Sequence, residues 1–513
     1  SAHKKVSWAA AARATGSPMM VTITSRNAAT WPSPGPLSKA FVFFDGQPAF
    51  RWGELHTQAR RIAGHLTALG ITKSESVAML LPNGRESISC LFGVLYGGFR
   101  ATVINLVAGD DAIGYALEHC DARFAIVGAN QLEQFEKVKP AHISEITPGD
   151  IPSQHPDVQF FDLQEDNQAL LMYTSGTTGR PKGVVHTHAS LLAGGWTTAV
   201  AHALEPHDRG LCVLPLYHIN GLCVTIMGTL VSGGSLAIAP KFSVGQFWKQ
   251  CAQAAVTWYS VVPTIISHLL HSDHDPTPET RSRIRFGRSA SSALAPDVQT
   301  AFETRFGMPI IETMGLTETA AQILSNPLPP DMRKIGSPGK AFGNEVCILS
   351  PDLTSLPPNQ QGEIAVRGPN VMAGYFKNPK ATADTFALDG WLRSGDLGHV
   401  DDDGYFFVTG RLKELIIKGG ENIAPREIDE ALYSHADVIE AAAFARPCET
   451  YGERVEAAVR VKQGSLLTAE ALGAICVKKL GRFKSPERVH FLEELPKGPS
   501  GKIQRLRLAE LIS

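Results

Sequence analysis

The segment Tyr173-Thr-Ser-Gly-Thr-Thr-Gly-Arg-Pro-Lys-Gly183 crowds hydroxyls, glycines and a lysine together. Thr174, Ser175, Thr177 and Thr178 offer hydroxyl donors. Gly176 and Gly179 let backbone N–H groups approach an anion, and Lys182 adds a point charge. The apolar run Ala169-Leu-Leu-Met172 precedes it and reads as a strand. A surface loop rarely combines these features, so the segment is read as a phosphate grip. It is not the Walker pattern: Gly183 follows Lys182, so no hydroxyl stands ready there for magnesium. Thr317-Glu318 places a hydroxyl beside a carboxylate, although alone it would also suit a helix N-cap. Asp396 follows Ser394-Gly395, a turn able to present an acceptor. Lys502 lies in Lys497-Gly-Pro-Ser-Gly-Lys-Ile503, where Gly and Pro argue against helix and for a loop. By itself such a residue is more commonly a solvated tail lysine.

Such groups need rigid elements behind them, and the composition supports a scaffold. Of 513 residues, 43% are hydrophobic and 19% charged, which excludes disorder as a description of the whole chain. Length alone predicts roughly three units. Forty-eight Lys and Arg against fifty Asp and Glu give a net charge of −2, so bulk charge supplies no reason to expect a nucleic acid or a membrane surface as partner. The very apolar run 210–240 is broken at Tyr217-His-Ile-Asn220 and Ser232-Gly-Gly234 and reads as several short buried elements. The eight cysteines lack metal-ligand spacing, read mostly as small buried hydrophobes, and fit a reducing cytoplasm. No apolar stretch follows Lys4-Lys5, so no signal peptide is expected.

Short apolar runs at 76–81, 124–128 and 255–262 alternate with helix-like segments such as 58–69, which predicts parallel sheets covered by helices. Residues 140–156 read as a surface loop. Past Val346, residues 363–367 and 405–409 suggest antiparallel strands. Beyond 410 a smaller α+β unit is expected, with helices at 425–435 and 468–480 and strands at 438–444 and 455–461. The expected fold is α/β. A large N-terminal domain (1–410) of stacked sheets with a small β-barrel-like part precedes a small mobile domain (411–513).

Several ordered motifs carry a resemblance. They are Thr174–Gly183, Tyr217-His-Ile-Asn-Gly-Leu222, Met314-Gly-Leu-Thr-Glu318, Trp391-Leu-Arg-Ser-Gly-Asp-Leu397, residues 405–415, Gly419-Gly-Glu-Asn-Ile-Ala-Pro425 and Pro499-Ser-Gly-Lys-Ile503. Over about residues 40–505 the chain resembles the adenylate-forming superfamily of acyl-CoA synthetases, adenylation domains and luciferases. The resemblance implies a two-step reaction with ATP and CoA as co-substrates and Mg2+ as cofactor. A carboxylate attacks the α-phosphorus of ATP and pyrophosphate leaves; a thiol, usually CoA, then takes the acyl group. It implies a β/γ-phosphate grip by Lys182 and the Thr174–Gly179 hydroxyls and glycines, an α-phosphate contact from Thr317 and a magnesium ligand in Glu318. Asp396 and Arg411 are implied at the ribose, Lys502 at the carboxylate and α-phosphate, a hinge at Lys413, and a thiol tunnel at Gly419, Gly420 and Glu421.

The acyl pocket of this family is formed by the region after His218, the segment after Trp258 and a loop usually written Gly-Gly-Ala-Pro, here Arg288-Ser-Ala-Ser-Ser-Ala-Leu294. Ser291, also expected to border ATP, and Ser292 add hydroxyls that a long fatty acid would have little use for, since a buried unpaired hydroxyl costs about 1–3 kcal/mol. The loop, with Ser325-Asn-Pro-Leu-Pro-Pro330, is similar to that of oxalate–CoA ligases, but Asn220 and Ala321 stand where those tend to have His. The expectation is a small acid with a polar or anionic far end, a short dicarboxylate or sulfoacetate, met by Arg288, Asn220, Ser291 and Ser292. Arg288 fits a structural ion pair equally well. Other readings are an adenylation enzyme loading a separate carrier protein, a ligase for a medium-chain or aromatic acid, a luciferase-type oxygenase, and a regulatory nucleotide-binding protein. The chain ends at Ser513, so no fused carrier is expected; monomer and dimer both stay open.

Overall fold

Parallel pairing of Ser76–Leu80 with Arg100–Val103 and Phe124–Val127 begins a seven-stranded sheet. All five residues of Ser76–Leu80 are buried, as expected of a strand covered on both faces. Ser144–Ile146 extends the sheet on one side and Gln168–Tyr173 on the other; Gly183–Thr187 and Gly374–Tyr375 then add antiparallel strands. The chain is described here from a computed structural model over residues 39–154, 158–174, 180–498 and 501–512. The described chain separates into two compact units. The first, residues 1–241 with 317–321 and 369–382, holds this sheet. It also holds parallel Lys39–Phe43, Ser235–Ile238 and Arg209–Cys212.

The second unit holds parallel Trp258–Val261, Phe286–Ser289 and Ile310–Leu316, and an antiparallel sheet of Glu345–Leu349, Gly362–Arg367, Leu392–Val400 and Phe406–Arg411. The C-terminal part of this unit pairs Val438–Cys448 with Gly452–Val461, adds Ile416–Lys418, Glu421–Ile423 and Arg488–Phe491, and covers them with Pro425–Tyr433 and Ala469–Leu480. Two hydrophobic clusters there, around Ile428 and Val455 and around Phe444 and Leu508, draw only on residues 416–512.

The expected α/β architecture with a small C-terminal α+β part stands, with local corrections. Trp52–Ala68 starts six residues before the expected helix at 58, because Glu54 accepts the backbone N–H of Arg51 at 2.8 Å and closes the N-terminus there. The region 140–156 is not all loop, since Ser144–Ile146 is a parallel edge strand. The run 210–240 divides into strands Arg209–Cys212 and Ser235–Ile238 around a π-type helix, Asn220–Met227, and a short helix, Gly228–Ser232. Six cysteines are buried; Cys347 and Cys448 are only partly so. No helix among the described residues is long and apolar enough to cross a membrane. By compactness the C-terminal residues group with residues 242–316.

Candidate active site

In the first unit the residues bracketing the phosphate-grip loop close on one another. The Thr174 N–H donates to the Lys182 carbonyl at 2.9 Å, and so Gln168–Tyr173 passes into Gly183–Thr187 across the loop. Ser175, Gly176, Thr177, Thr178 and Gly179 lie outside the described residues. Lys182 Nζ stands 4.6 Å over the Tyr375 ring, and the Tyr375 hydroxyl donates to Glu318 Oε1 at 2.8 Å. Tyr375 therefore links the loop lysine to the Glu318 carboxylate.

Thr317-Glu318 begins a single 3₁₀ turn, Thr317–Thr319, and caps no α-helix. Three successive carbonyls of this turn accept hydrogen bonds from separate elements: Thr317 from His186 Nε2 at 2.6 Å, Glu318 from the Met372 N–H at 2.8 Å, and Thr319 from Asn370 Nδ2 at 2.8 Å. His186 is fully buried, and loss of hydration pulls its pKa down to about 4. The chain then passes through two left-handed residues, Ala320 (φ 46°) and Ala321 (φ 78°), held by the Thr319 hydroxyl on the Ala321 carbonyl at 2.9 Å. Gly194 packs beneath, where a Cβ would lie 2.2 Å from the Ala320 carbonyl oxygen. In the same unit His218 is buried and pushed down to about 4 by desolvation, and its Nε2 has no hydrogen-bond partner among the described residues. Asn220 opens the π-type helix and is buried.

The second unit contains a cleft of about 200 Å³ lined by Ser291, Ser292, Glu312, Asp396, Arg411, Glu414 and Lys502. It thereby gathers Ser291, Asp396, Arg411 and Lys502 from widely separated segments. Asp396 is not in a turn: it sits in Leu392–Val400 directly opposite Arg411, whose Nε donates to its Oδ1 at 2.6 Å. The positive φ of Gly395 (74°) supplies the local irregularity that suggested a turn. Lys502 lies on irregular backbone before the helix Arg505–Leu511, with Nζ 3.8 Å from Glu414 Oε1. Desolvation and the Arg411 charge lower its pKa, while Glu414 and Asp396 oppose them. Lys413 occupies the 3₁₀ turn Leu412–Glu414. Gly419 (φ 58°) and Gly420 (φ 84°) form the tight turn between Ile416–Lys418 and Glu421–Ile423, a conformation that favours glycine at both positions.

Arg288 is 1% exposed and donates to Ser260 Oγ at 3.1 Å and Gln322 Oε1 at 3.2 Å. Ser291 is exposed, in the left-handed region (φ 76°), and Ser292 is half-buried. The burial cost argued for these two hydroxyls therefore does not apply; they border the cleft that holds Asp396 and Lys502.

Sequence reasoning missed Tyr375, His186, Glu312 and Glu414. Glu312 carried a signal, an acid inside the apolar run Met308–Met314. It is buried, its Oε1 accepts the Leu294 N–H at 3.1 Å, and burial raises its pKa to about 7 despite Arg426. For magnesium, the hard carboxylate oxygens of Glu318 are a fitting donor. That ion commonly takes only one or two protein carboxylates and completes its shell with water and phosphate. No cluster of three or more His, Cys, Asp or Glu side chains suited to a metal occurs among the described residues.

Family models match along the chain: AMP-binding enzyme over residues 31–376 and AMP-binding enzyme C-terminal domain over 427–502. The chain belongs to the AMP-binding enzyme family, and within it to the acid–thiol ligases. It is 43% identical to a sulfoacetate–CoA ligase of Cupriavidus necator, an alignment covering 95% of this chain and 97% of that protein. An oxalate–CoA ligase of Arabidopsis thaliana is 35% identical, with 89% and 92% covered. The structure superposes on ATP-bound MatB from Rhodopseudomonas palustris with a TM-score of 0.86, at 28% identity, over 92% of this chain and 95% of that one.

Proposed function

We propose that this protein is an ATP-dependent, AMP-forming acid–CoA ligase for a small acid with an anionic far end, sulfoacetate or a short dicarboxylate. Arg288 carries the choice of acid. A guanidinium keeps its charge when buried, and Ser260 and Gln322 are among the groups that hold this one in place. Such a group suits a second anionic end and is poorly suited to an alkyl chain or an unsubstituted ring. The name of the 43% identical relative supports the same choice. Neutral, desolvated His218 and buried Asn220 add polar atoms without adding charge, and Ala321 leaves room where a larger side chain would not.

Two anions meet in the adenylation step, so fixed cations and donors must stand where charge develops. Lys182 and the Thr174–Gly179 loop are assigned to the β/γ-phosphates, Thr317 to the α-phosphate, Asp396 and Arg411 to the ribose, with Ser291 beside the nucleotide. Glu318 would hold Mg2+, which supplies positive charge to the phosphates when bound. Lys502 is assigned to the carboxylate and α-phosphate. Transfer to CoA then requires Lys502 to leave, by rotation of residues 411–513 about Lys413, and Gly419, Gly420 and Glu421 to line the thiol path. Clusters drawn only on 416–512 support a separable domain. So do polar contacts with the helix Pro263–Leu270, such as His268 on Glu440 at 2.8 Å and Thr264 on the Gly501 carbonyl at 3.2 Å. A cytoplasmic setting, where ATP and CoA are available, fits this chemistry.

The test is pyrophosphate and AMP release with sulfoacetate, malonate, succinate, oxalate, octanoate and benzoate, each with and without CoA. Sulfoacetate or a short dicarboxylate should give the highest kcat/KM, and AMP release should require CoA. Preference for octanoate or benzoate would overturn the choice of acid.

A further inference from the structure

Glu414 receives no task in the reading above, although it stands beside Lys502, which does. Its Oε1 lies 3.8 Å from Lys502 Nζ and its Oε2 lies 3.5 Å from Arg505 Nε. Arg505 is anchored independently: its Nη2 meets Asp429 Oδ2 at 2.7 Å, and Asp429 Oδ1 accepts the Ala443 N–H at 2.6 Å. One side of the Glu414 carboxylate is thus tied to a fixed guanidinium, while the other faces the lysine. At 3.8 Å the lysine is attracted without being captured in a hydrogen bond, which would need about 2.7–3.2 Å. It stays free to pass its donors to an incoming phosphate oxygen.

The charges around Lys502 are Arg411 and Arg505, which repel it, and Asp396 and Glu414, which attract it. Asp396 is bonded to Arg411 at 2.6 Å. Glu414 is the other carboxylate at hand, and it lies on the far side of Lys413. Burial alone would raise the Glu414 pKa, but Lys502, Arg505 and Arg411 outweigh that and hold it ionised.

We propose that Glu414 is a positioning residue for Lys502, a counter-ion within the same mobile domain that travels with the lysine and keeps its ammonium charged and aimed both in the cleft and away from it. Asp396 lies outside the mobile domain 411–513, and Arg411 precedes the hinge residue Lys413 at its very start; Glu414, Arg505 and Asp429 stand after the hinge and move together with Lys502. The inference rests on the reading of Lys502 as the adenylation lysine.

The experiment measures two half-reactions of the full-length enzyme: ATP–pyrophosphate exchange with the preferred acid of the panel, and thioester formation from the synthetic acyl-adenylate plus CoA. Glu414→Gln should slow exchange roughly tenfold or more, the scale of a misplaced catalytic group, chiefly in kcat and less in the KM for ATP. Thioester formation should stay within about threefold of the parent, the ordinary range for a group not used in a step. The alkaline limb of the exchange profile should move to lower pH, because a lysine without its carboxylate loses its proton more readily. Glu414→Asp keeps the charge at a longer reach and should fall between the two in rate and in limb position, which decides the matter if Glu414→Gln folds poorly. An unmoved limb in both variants, or equal loss of both half-reactions, would overturn the inference. Lys502→Ala run alongside separates the levels: undiminished exchange there would overturn the lysine reading itself, whereas lost exchange in Lys502→Ala with parent-like Glu414→Gln would overturn only the role of Glu414.

Discussion

His186 has no chemistry of its own in the proposed reaction, yet it fixes Thr317, to which that reading gives the α-phosphate. Because its Nε2 lies 2.6 Å from a carbonyl oxygen, Nε2 must carry the proton, and Nδ1 must accept from the Ser190 hydroxyl at 2.9 Å. The ring is thereby held neutral in one tautomer between the strand leaving the phosphate loop and Thr317. His186→Leu leaves the Thr317 carbonyl without this donor, at a cost of about 1–3 kcal/mol for a stranded buried acceptor. We expect kcat/KM for ATP to fall roughly tenfold, since each 1.36 kcal/mol is a factor of ten, while the KM for the acid barely changes. His186→Gln, which restores an amide donor, should recover part of the loss. Steady-state pyrophosphate release with ATP and acid varied in turn checks this; unchanged ATP kinetics in His186→Leu would refute it. The imidazole partnership was invisible in the sequence, because 131 residues separate His186 from Thr317.

At the level of elements, the helix His188–Ala201 runs against the Thr317–Ala321 loop with no room to spare. A Cβ on Gly194 would meet the Ala320 carbonyl at 2.2 Å and Cys223 Sγ at 2.6 Å. Backbone does not yield as a flexible side chain would, so Gly194→Ala must shift the loop that carries Thr317 and Glu318. It should cost about 1–3 kcal/mol by overpacking and reduce ATP-dependent turnover as well. Gly473→Ala is the control: it lies within Ala469–Leu480 with nothing within 4 Å of its Cβ, and should stabilise by about 0.5–1 kcal/mol without touching activity. Thermal unfolding of both variants decides the point. Most elements were legible beforehand because they are long apolar runs or capped helices, as at Ser76–Leu80 and at Ala469–Leu480, whose Thr468 hydroxyl accepts the Ala471 N–H. Those that were not legible depend on neighbours far along the chain. The edge strand Ser144–Ile146 is defined by Phe124–Val127, and the strand position of Asp396 by its pairing with Arg411.

For the whole molecule, the motifs pointed to Asp396, Arg411 and Lys502 but gave no sign of buried Glu312 or of the Arg505–Asp429 pair, which only folding brings to the same cleft. Glu312 shows what that withholds. Its pKa rises from 4.5 to about 7, so the folded chain binds this proton more tightly than the unfolded chain. The stabilisation is complete below about 4.5, declines as pH climbs, and is gone above about 7. Glu312→Gln keeps an acceptor for the Leu294 N–H and cannot ionise. Its melting temperature should exceed that of the parent at pH 8, by an amount corresponding to about 1–3 kcal/mol, with the gap closing towards pH 5. A constant gap across that range would show that Glu312 does not titrate there.

The two hydrophobic clusters confined to residues 416–512 have an evolutionary consequence. A C-terminal piece that fills its own interior can be inherited as a cassette, its core residues drifting without compensation elsewhere in the protein. Compatibility is then demanded mainly at the seam, where Asp396 faces Arg411 across a strand pair and where, in the proposed mechanism, Lys502 must reach the same nucleotide in every combination. Recombination between relatives that differ in their acid could therefore exchange this piece while leaving with the other parent the acid preference here proposed to lie around Arg288.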